Sequence, residues 1–596
     1  MVRGIKIKSF KRSVFVSAIT MVAINIIVTV FFLAPVTLLA APPTSADKQI
    51  IQQEAEKILQ QEKLRDEEML KKHDLRRRPP TNIELDIQKE EVPGKPSKQC
   101  FEINKIILDG AHSLSEEEKQ NLISPFQGKC IGLTEIKELL RKITNYYIDK
   151  GYVSTRAYIP QQDLNDGTLE ILIIEGVTES IELDSNEAKV NIATAFPGLK
   201  GKVFNIRDFE QGLDQINRLQ SNNATMDMVP GKKPGKTQVI IKNKPTIPLS
   251  GSFTVDNYGS ESTGDNRGTV TVNIDNLLNL NDFLSLSYTR NLDHDTTNKL
   301  SENILASFNL PYGYWTFSGS FSDYKYKSII KGVAQSFTTN GTSQTSNIGV
   351  SRVVSRDQDN KLTLSSVLTH NDTKNFIEGS LLETSSRKLT VLDVDLVSVF
   401  SAYDGIWTVE GGIAKGVHWF GADELVSISP TAQQADFWKL KFGATYSRPL
   451  KFGGRQASWS SSIKAQYAND FLLGSEQISV GGLYTVRGFD GTSIAGDRGI
   501  YLRNDLSMTL SRSTNKTIAK ILGSLQPYMA LDAGKVFKRE GQQGGTLVGV
   551  AVGVKNTHGI ATLDIGYGIP ISYPDYLNAG DGVANDAFYV KIGIAI

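Results

Sequence analysis

The chain contains one short glycine-rich segment of the kind that can bind phosphate. It reads Gly-Lys-Lys-Pro-Gly-Lys-Thr over residues 231–237, so three residues separate its glycines. A P-loop has four residues there, because its backbone must wrap around the phosphates. The segment also lies where a hairpin turn between two strands is expected. The sequence has no G-x-S-x-G and no H-E-x-x-H motif, and its six histidines are not clustered. We therefore predict no enzyme activity, no metal and no cofactor.

Cys100 and Cys130 are the only two cysteines. An even cysteine count in an exported protein predicts a disulfide. Closing a loop of this length stabilises the fold by about 3 to 4 kcal/mol in the chain-entropy model. Two buried free thiols are the alternative. A disulfide here would brace a domain too small to be robust alone.

The N-terminus has the composition of a secretory signal. Five Lys and Arg residues precede an uncharged stretch from Ser13 to Ala46, which includes a dense apolar run. This order of a basic and then an apolar region predicts a signal peptide over residues 1–46. Cleavage after Ala41 is also open. The alternative is an uncleaved inner-membrane anchor, since the apolar run is long enough to span a bilayer.

Charge and hydropathy restrict what the rest of the chain can be. The sequence has 65 Lys+Arg and 64 Asp+Glu among 596 residues, a net charge of +1. This balance provides no broad basic surface for nucleic acid. Beyond residue 41 no apolar run reaches the roughly 18 residues that a membrane-spanning helix needs. A membrane protein with this sequence must therefore be built from strands.

Two polar segments follow the signal. Residues 47–75 predict a helix in which apolar positions such as Ile51 and Ile58 are too sparse to face a core. Such a helix is either solvated or lies in a water-filled lumen. Residues 76–97 begin with an arginine run and contain several prolines, which predicts an extended linker. The charge run is either solvated chain or a functional tether.

Two small α/β units are predicted next, over residues 98–177 and 178–245. The first has the order strand, helix, helix, strand, strand, and the second is a weaker copy. The expected elements of the first unit are a strand (101–110), a helix after the capping box of Ser115 and Glu118, a helix from Thr134, and strands (153–159, 168–175). Those of the second are a strand near Ile181, a helix near Ala193, a helix from Ile206 to Leu219 capped by Asn205, and strands near Met226 and Val239.

Beyond Pro245 apolar and polar residues alternate, as in strands with one dry and one wet face. In residues 438–447 one row carries Trp438, Leu440, Phe442, Ala444 and Tyr446, and the other carries Lys439, Lys441, Gly443, Thr445 and Ser447. Lysine in an inward row is costly in a dry core but cheap in a wet lumen. A soluble β-sandwich can alternate too, so the outward aromatics and the export signal decide for a barrel. We predict a mainly β protein in which residues 246–596 form a transmembrane β-barrel of roughly 16 antiparallel strands.

A long segment of the barrel region resembles a known family. It reads ISVGGLYTVRGFDG over residues 478–491 and is followed by GDRGIYLRNDL over residues 496–506. This is similar to the signature of the two-partner secretion transporters (TpsB), of the hemolysin-activator or filamentous-hemagglutinin transporter type, in the Omp85 superfamily. The segment 167–176 also resembles the end of the first POTRA domain in that family. The likeness in layout covers nearly the whole chain.

The resemblance implies a fold and a set of site residues. In this family a 16-stranded barrel follows two POTRA domains and an N-terminal helix, and its sixth extracellular loop folds back into the lumen. The loop motif V-R-G-F/Y is matched by Val486, Arg487, Gly488 and Phe489, and its arginine pairs with an aspartate on the inner wall. Asp532 is the best candidate, since Met529 and Leu531 would then face lipid. An ordinary solvated arginine and an unpaired lumen carboxylate are the alternatives.

The resemblance also implies partners and a location. These proteins lie in the bacterial outer membrane, with POTRA domains in the periplasm, and pass a large exoprotein of the TpsA type to the cell surface. The passenger could be a cytolysin, an adhesin, a contact-dependent toxin or a haem-binding protein. We expect contact with membrane lipid, insertion by the barrel-assembly machinery and a monomeric state.

Three other functions stay open at this point. They are a barrel-assembly insertase, which usually has more POTRA domains, a passive porin, and an adhesive surface barrel. One departure from the usual outer-membrane pattern is the final Ile596, where an aromatic residue is common.

Overall fold

The structure is a computed structural model that describes residues 43–72, 74–83, 99–295, 297–333, 335–424, 432–578 and 586–596. The predicted signal lies outside the described residues as far as residue 42, and so does the linker over residues 84–98. The first described element is the helix α1 (Ser45–Lys71). Among the described residues no helix is long and apolar enough to cross a membrane.

The first α/β domain contains seven elements. They are β1 (Cys100–Ile103), β2 (Lys105–Asp109), α2 (Glu116–Ile123), β3 (Lys129–Gly132), α3 (Leu133–Asp149), β4 (Arg156–Tyr158) and β5 (Thr168–Ile174). Helix α2 has the predicted capping box of Ser115 and Glu118. β2, β5 and β4 form one sheet and pack against the helices around Ile103, Leu139 and Ile143, which are fully buried.

The strand order predicted for this domain is wrong in two places. The predicted strand over residues 101–110 is interrupted at Asn104, because the backbones of Asn104 and Lys105 both donate to the carbonyl of Gly167. β1 then pairs with the unpredicted strand β3, while β2 joins the main sheet. The predicted strand over residues 153–159 is reduced to three residues. Its first part turns so that Val153 packs in the core of the second domain.

The second α/β domain follows the predicted order. It contains β6 (Val177–Leu183), α4 (Ile192–Ala195), α5 (Ile206–Asn217), β7 (Thr225–Pro230) and β8 (Lys236–Lys242). The predicted cap is confirmed, since Asn205 accepts a hydrogen bond from the backbone of Arg207. The glycine-rich segment over residues 231–237 contains the β7–β8 turn. The backbone N–H of Gly231 closes this turn by donating to the carbonyl of Lys236. This confirms the hairpin that was expected there.

The remaining strands close into an antiparallel barrel. The first eight are β9 (Leu249–Asp256), β10 (Arg267–Asp275), β11 (Phe283–Asn291), β12 (Leu300–Tyr312), β13 (Trp315–Lys331), β14 (Ser336–Arg356), β15 (Asn360–Ile377) with its short hairpin strand β16 (Ser380–Leu381), and β17 (Arg387–Ala402). The other eight are β18 (Gly405–Val417), β19 (Trp438–Phe452), β20 (Arg455–Ala468), β23 (Gly499–Met508), β24 (Ser524–Val536), β25 (Gly545–Thr557), β26 (Ala561–Ser572) and β27 (Ala587–Ala595). Between β20 and β23 lie the short strands β21 (Ile478–Val480) and β22 (Ile494–Gly496), and α6 (Lys516–Leu522) lies between β23 and β24.

Strand β27 pairs with β9 and closes the barrel. The ladder runs from Lys591 opposite Asp256 to Ala595 opposite Ser252. Ile596 then exchanges two backbone hydrogen bonds with Gly251. Ile596 therefore extends the seam, and the described barrel strands leave no edge exposed to lipid.

The alternation read from the sequence sets which side chains face inward. Met529 and Leu531 are 56% and 54% exposed on the outer face, whereas Asp532 is fully buried. Trp438 and Phe442 are also exposed, and Lys439 between them is buried inside. A polar inner face and an apolar outer face are what a strand needs when water fills the lumen and lipid surrounds the barrel.

The barrel has two distinguishable ends. The turns over residues 276–282, 313–314 and 357–359 lie at the near end, where the second α/β domain packs. The opposite, far end carries residues 332–333 and 335, which follow β13, and the connection of residues 469–498, among others. Helix α1 runs inside the barrel from the far end, where Val333 donates to Asp47. The sequence left open whether this helix is solvated or in a lumen, and the structure places it in the lumen.

Candidate functional site: a polar lumen filled by a loop and a helix

The long connection over residues 469–498 folds back into the barrel, and we call it the inner loop. It is the sixth far-end connection, and its middle forms the β21–β22 hairpin. Gly481 and Gly482 have φ values of 120° and 93°, which glycine adopts without strain. These turns let the hairpin bring residues 485–490 to the wall of β23 to β26.

Arg487 of the inner loop makes a buried ion-pair cluster with two wall carboxylates. Its Nε and Nη2 donate to the two oxygens of Asp532 at 2.6 and 2.8 Å, and its Nη1 donates to Asp505 at 2.6 Å. Asp532 is fully buried and Arg487 is 5% exposed. Charge-assisted bidentate bonds are strong and fix orientation. The structure thus brings together the two residues singled out from the sequence.

Asp505 was not predicted from the sequence as a partner of Arg487. It lies on β23, on the opposite face from the exposed Leu502 and Leu506. The alternation of this strand therefore carried a usable signal that the carboxylate faces inward.

The other three residues of the loop motif fill space against the wall. Val486 and Phe489 are buried in an apolar cluster that includes Val480 and Leu547. A Cβ on Gly488 would meet the carbonyl oxygen of Ile569 at 2.6 Å. The motif therefore combines one charge for the wall, two apolar side chains for packing and a glycine where two backbones touch.

A second ion pair holds the ends of the inner loop at the far side. Asp497 is fully buried and accepts from Arg539 at 2.8 Å, from Gln542 at 2.8 Å and from the backbone of Leu472 at 3.0 Å. Arg539 also lies 3.6 Å from the ring centre of Phe471. This pair was not predicted from the sequence, because its members are distant along the chain.

Glu476 joins three parts of the molecule. Its carboxylate accepts from Lys439 on the wall at 2.6 Å and from Lys63 on α1 at 2.9 Å. Gln60 of α1 also donates to the carbonyl of Gln477 at 3.0 Å. The inner loop and α1 are therefore linked to each other as well as to the barrel.

The part of α1 nearer the near end of the barrel is held to the wall by polar contacts. Arg65 donates to Thr269 at 2.9 Å and to Thr289 at 2.5 Å. Asp66 accepts from Asn303 at 2.8 Å and from Ser322 at 2.7 Å. The sparse isoleucines are used nearer the far end, where Ile51 packs in a small cluster with barrel residues.

The described part of the arginine-rich linker, residues 76–83, contacts the barrel wall, so the solvated-chain alternative is wrong for this part. Arg76 donates to Ser365 at 2.6 Å, and Arg77 pairs with Glu410 on the wall. Lys361 donates to the carbonyl of Arg78 at 2.6 Å. The arginines stay inside because the wall supplies hydroxyl and carboxylate partners.

Helix α5 of the second α/β domain is clamped on the near end. Gln215 and Arg218 donate to the carbonyls of Gly313 and Asn281 at 3.0 and 2.7 Å. Tyr314 donates to Asp208 at 2.7 Å, and burial raises the pKa of that carboxyl. The domain therefore sits at the mouth of the barrel through specific polar bonds.

Arg356 connects this clamp to the linker. It pairs with Asp214 of α5 at 2.5 Å and donates to the carbonyl of Thr81 at 2.8 Å. Glu210 is fully buried, lies 3.7 Å from the same guanidinium and accepts from the backbone of Ile83 at 3.0 Å. One arginine thus joins barrel, domain and linker.

Space remains beside α1. A cavity of about 730 Å³ is lined by hydroxyl, amide and charged side chains of the wall and of α1. No cluster of three or more metal-ligating side chains is found in the part of the chain that the structure describes.

The fold and this lumen define an outer-membrane transporter with POTRA domains. Residues 235–556 match the family of haemolysin secretion/activation proteins ShlB/FhaC/HecB, and residues 101–176 and 178–230 match POTRA domains, the first of the ShlB type. The chain belongs to this two-partner secretion family. It is an outer-membrane protein whose POTRA domains lie in the periplasm, so the near end of the barrel is periplasmic and the far end is extracellular.

Several relatives cover most of the chain. The outer membrane transporter CdiB of Escherichia coli is 32% identical over 541 residues, which are 90% of this chain and 89% of that protein. The hemolysin transporter protein ShlB of Serratia marcescens is 31% identical and covers 80% of this chain and 83% of its own. A solved structure of CdiB from Escherichia coli superposes with a TM-score of 0.80 at 31% identity, covering 94% of this chain and all of that one.

Proposed function

We propose that this transporter takes an unfolded exoprotein from the periplasm through its POTRA domains and passes it through the lumen to the cell surface. Transport uses no ATP, and folding of the passenger outside biases its movement outward. In the resting state α1 and the inner loop close the lumen, and both move aside during transport.

The observation that carries this proposal is the polar character of the contacts between α1 and the wall. Arg65, Asp66 and Lys63 bond to hydroxyls, amides and one carboxylate. Each such bond adds only about 0.5 to 3 kcal/mol net, since water replaces it when it breaks. A plug held in this way can leave a wet lumen without exposing a large apolar surface.

The POTRA sheets offer edges at which a passenger strand could add. Among the described strands, β7 pairs with β8 on one side only, and β4 pairs only with β5. Tyr158 of β4 and the following Ile159 are exposed beside that edge. Backbone hydrogen bonds to such an edge accept many sequences, which suits an unfolded client.

The test locks α1 to the wall. Asp66 and Ser322 touch at 2.7 Å through their side chains, so we would make the double variant Asp66→Cys/Ser322→Cys and bridge it with a short, reducible bis-thiol reagent. Secretion of its exoprotein partner should stop when the bridge forms and return when it is cleaved. The single variants, treated identically, control for the reagent and for reduction of Cys100–Cys130. Undiminished secretion through a fully bridged barrel would contradict the proposal.

A further inference from the structure

Helix α6 lies on the periplasmic rim, in the turn between β23 and β24. The side chain of Asn515 caps it by accepting from the backbones of Thr517 and Ile518. The carbonyl of Lys520 accepts from the backbone of Ile560 at 3.2 Å. The helix is therefore fixed against the neighbouring β25–β26 turn and has a defined orientation.

This helix has one basic and one apolar face, although none of its residues is buried. Lys516 and Lys520 are four residues apart and lie on the same side. Ile518 and Ile521 lie on the other side and are 46% and 44% exposed. Exposed isoleucines opposite lysines are typical of helices that lie in a membrane interface.

The basic face continues into an open cleft. Arg512, Lys516 and Lys520 line it together with His558 of the next turn. Residues 509–524 contain no acidic side chain. None of the described residues that line the cleft has an acidic side chain. The cleft therefore carries an excess of positive charge and suits an anion.

The surroundings show which anion can reach it. The strands that leave this rim expose a continuous apolar outer face, with Met529, Val552 and Ile594 each more than half exposed. In the described part of the chain, the second POTRA domain contacts periplasmic turns other than the one that carries α6. These are the turns at residues 276–282, 313–314 and 357–359. A molecule with an acyl chain on the apolar face and a phosphate at the rim would satisfy both halves of the surface.

We propose that α6 and the turn at His558 bind the phosphate of a phospholipid headgroup in the periplasmic leaflet. Ile518 and Ile521 enter the acyl boundary, while Arg512, Lys516 and Lys520 pair with the phosphate. This contact fixes the depth and tilt of the barrel in the membrane. It lies on the side of the periplasmic mouth that the second POTRA domain does not contact. This inference does not depend on which passenger is exported.

The first test counts bound lipid on the full chain by native mass spectrometry after incubation with phosphatidylglycerol or phosphatidylcholine. We would compare the wild type with Arg512→Ser/Lys516→Ser/Lys520→Ser. The matched control is Lys200→Ser/Lys232→Ser/Lys233→Ser, which removes the same charge from exposed positions of the second POTRA domain. Each cation near an anionic lipid surface strengthens binding about fivefold, so the rim variant should lose phosphatidylglycerol strongly. Equal retention by the rim and control variants would overturn the proposal.

The second test measures where α6 lies and separates lipid from free anion. A fluorophore on Ile521→Cys should be quenched by phospholipids that carry a headgroup-proximal spin label, and one on Lys200→Cys should not. Inorganic phosphate should leave the quenching and the bound lipid unchanged. An unquenched Ile521→Cys label, or full displacement of the lipid by inorganic phosphate, would overturn the membrane role.

Discussion

Arg487 shows how one side chain can hold the inner loop, which moves aside in the transport mechanism that we propose. Its guanidinium donates hydrogen bonds to both Asp532 and Asp505, and Asp532 is fully buried. Breaking a buried pair by removing one partner typically costs about 3 to 5 kcal/mol, because the other charge stays unpaired. Removing the charges of Arg487 and Asp532 together costs less, since the fully buried carboxylate is then gone and Asp505, whose side chain is 34% exposed, can be hydrated.

We therefore expect Arg487→Ala to release the inner loop and lower secretion strongly, while the barrel still inserts. Arg487→Gln/Asp532→Asn should be less impaired than the sum of its single variants, because the two side chains are directly coupled. Secretion and single-channel conductance measure the effect, with heat-modifiability as the check on insertion. Arg455→Ala, at the exposed first residue of β20 beside a periplasmic turn, is the control. Wild-type secretion and conductance in Arg487→Ala would contradict a latch.

At the scale of elements, the sequence predicted what depends on neighbours along the chain. The period of two placed Met529 outside and Asp532 inside, and local hydrogen-bonding groups predicted the helix starts after Ser115 and at Asn205. These features depend on residues within a few positions of each other.

Features that depend on distant residues were not predictable in the same way. Strand β3 forms because it pairs with the distant strand β1, in a ladder that runs from Cys100 opposite Gly132 to Ile103 opposite Lys129. A short apolar run does not predict such a pairing. The partners of α1 in the lumen are still more distant, since Arg65 bonds to Thr289 and Lys63 to Glu476. Barrel curvature and stagger bring these residues together, and neither is encoded in a local pattern.

The disulfide belongs to this element scale. Cys100 and Cys130 are bonded and join β1 to β3, the two-stranded sheet outside the main sheet of the first POTRA domain. Cys100→Ser/Cys130→Ser should lower the free energy of unfolding of this domain by about 3 to 4 kcal/mol in the chain-entropy model. Limited proteolysis of the full chain across a urea series measures it, and the barrel should stay heat-modifiable. An unchanged midpoint for the first domain would show that the bond contributes nothing to its stability.

At the scale of the whole molecule, the second POTRA domain, the linker and the barrel are joined at the mouth. α5 bonds to the periplasmic turns through Gln215 and Arg218, and Thr81 of the linker lies between α5 and the barrel. The same linker leads to α1, which is tied to the inner loop through Glu476. A passenger that displaces α5 would therefore also disturb the chain that leads to the plug.

Arg356→Gln tests this connection. The Arg356 side chain is 1% exposed and pairs with Asp214 and the fully buried Glu210, so its loss should cost about 3 to 5 kcal/mol at the mouth. We expect faster amide hydrogen exchange in residues 78–83 and in α5 together, and reduced secretion. Arg352→Gln is the matched control, because Arg352 lies on the same strand but packs over Trp315 on the outside. Faster exchange in α5 with an unchanged linker would mean that the domain and the plug are held independently, and that a passenger must open the lumen by contacting α1 or the inner loop directly.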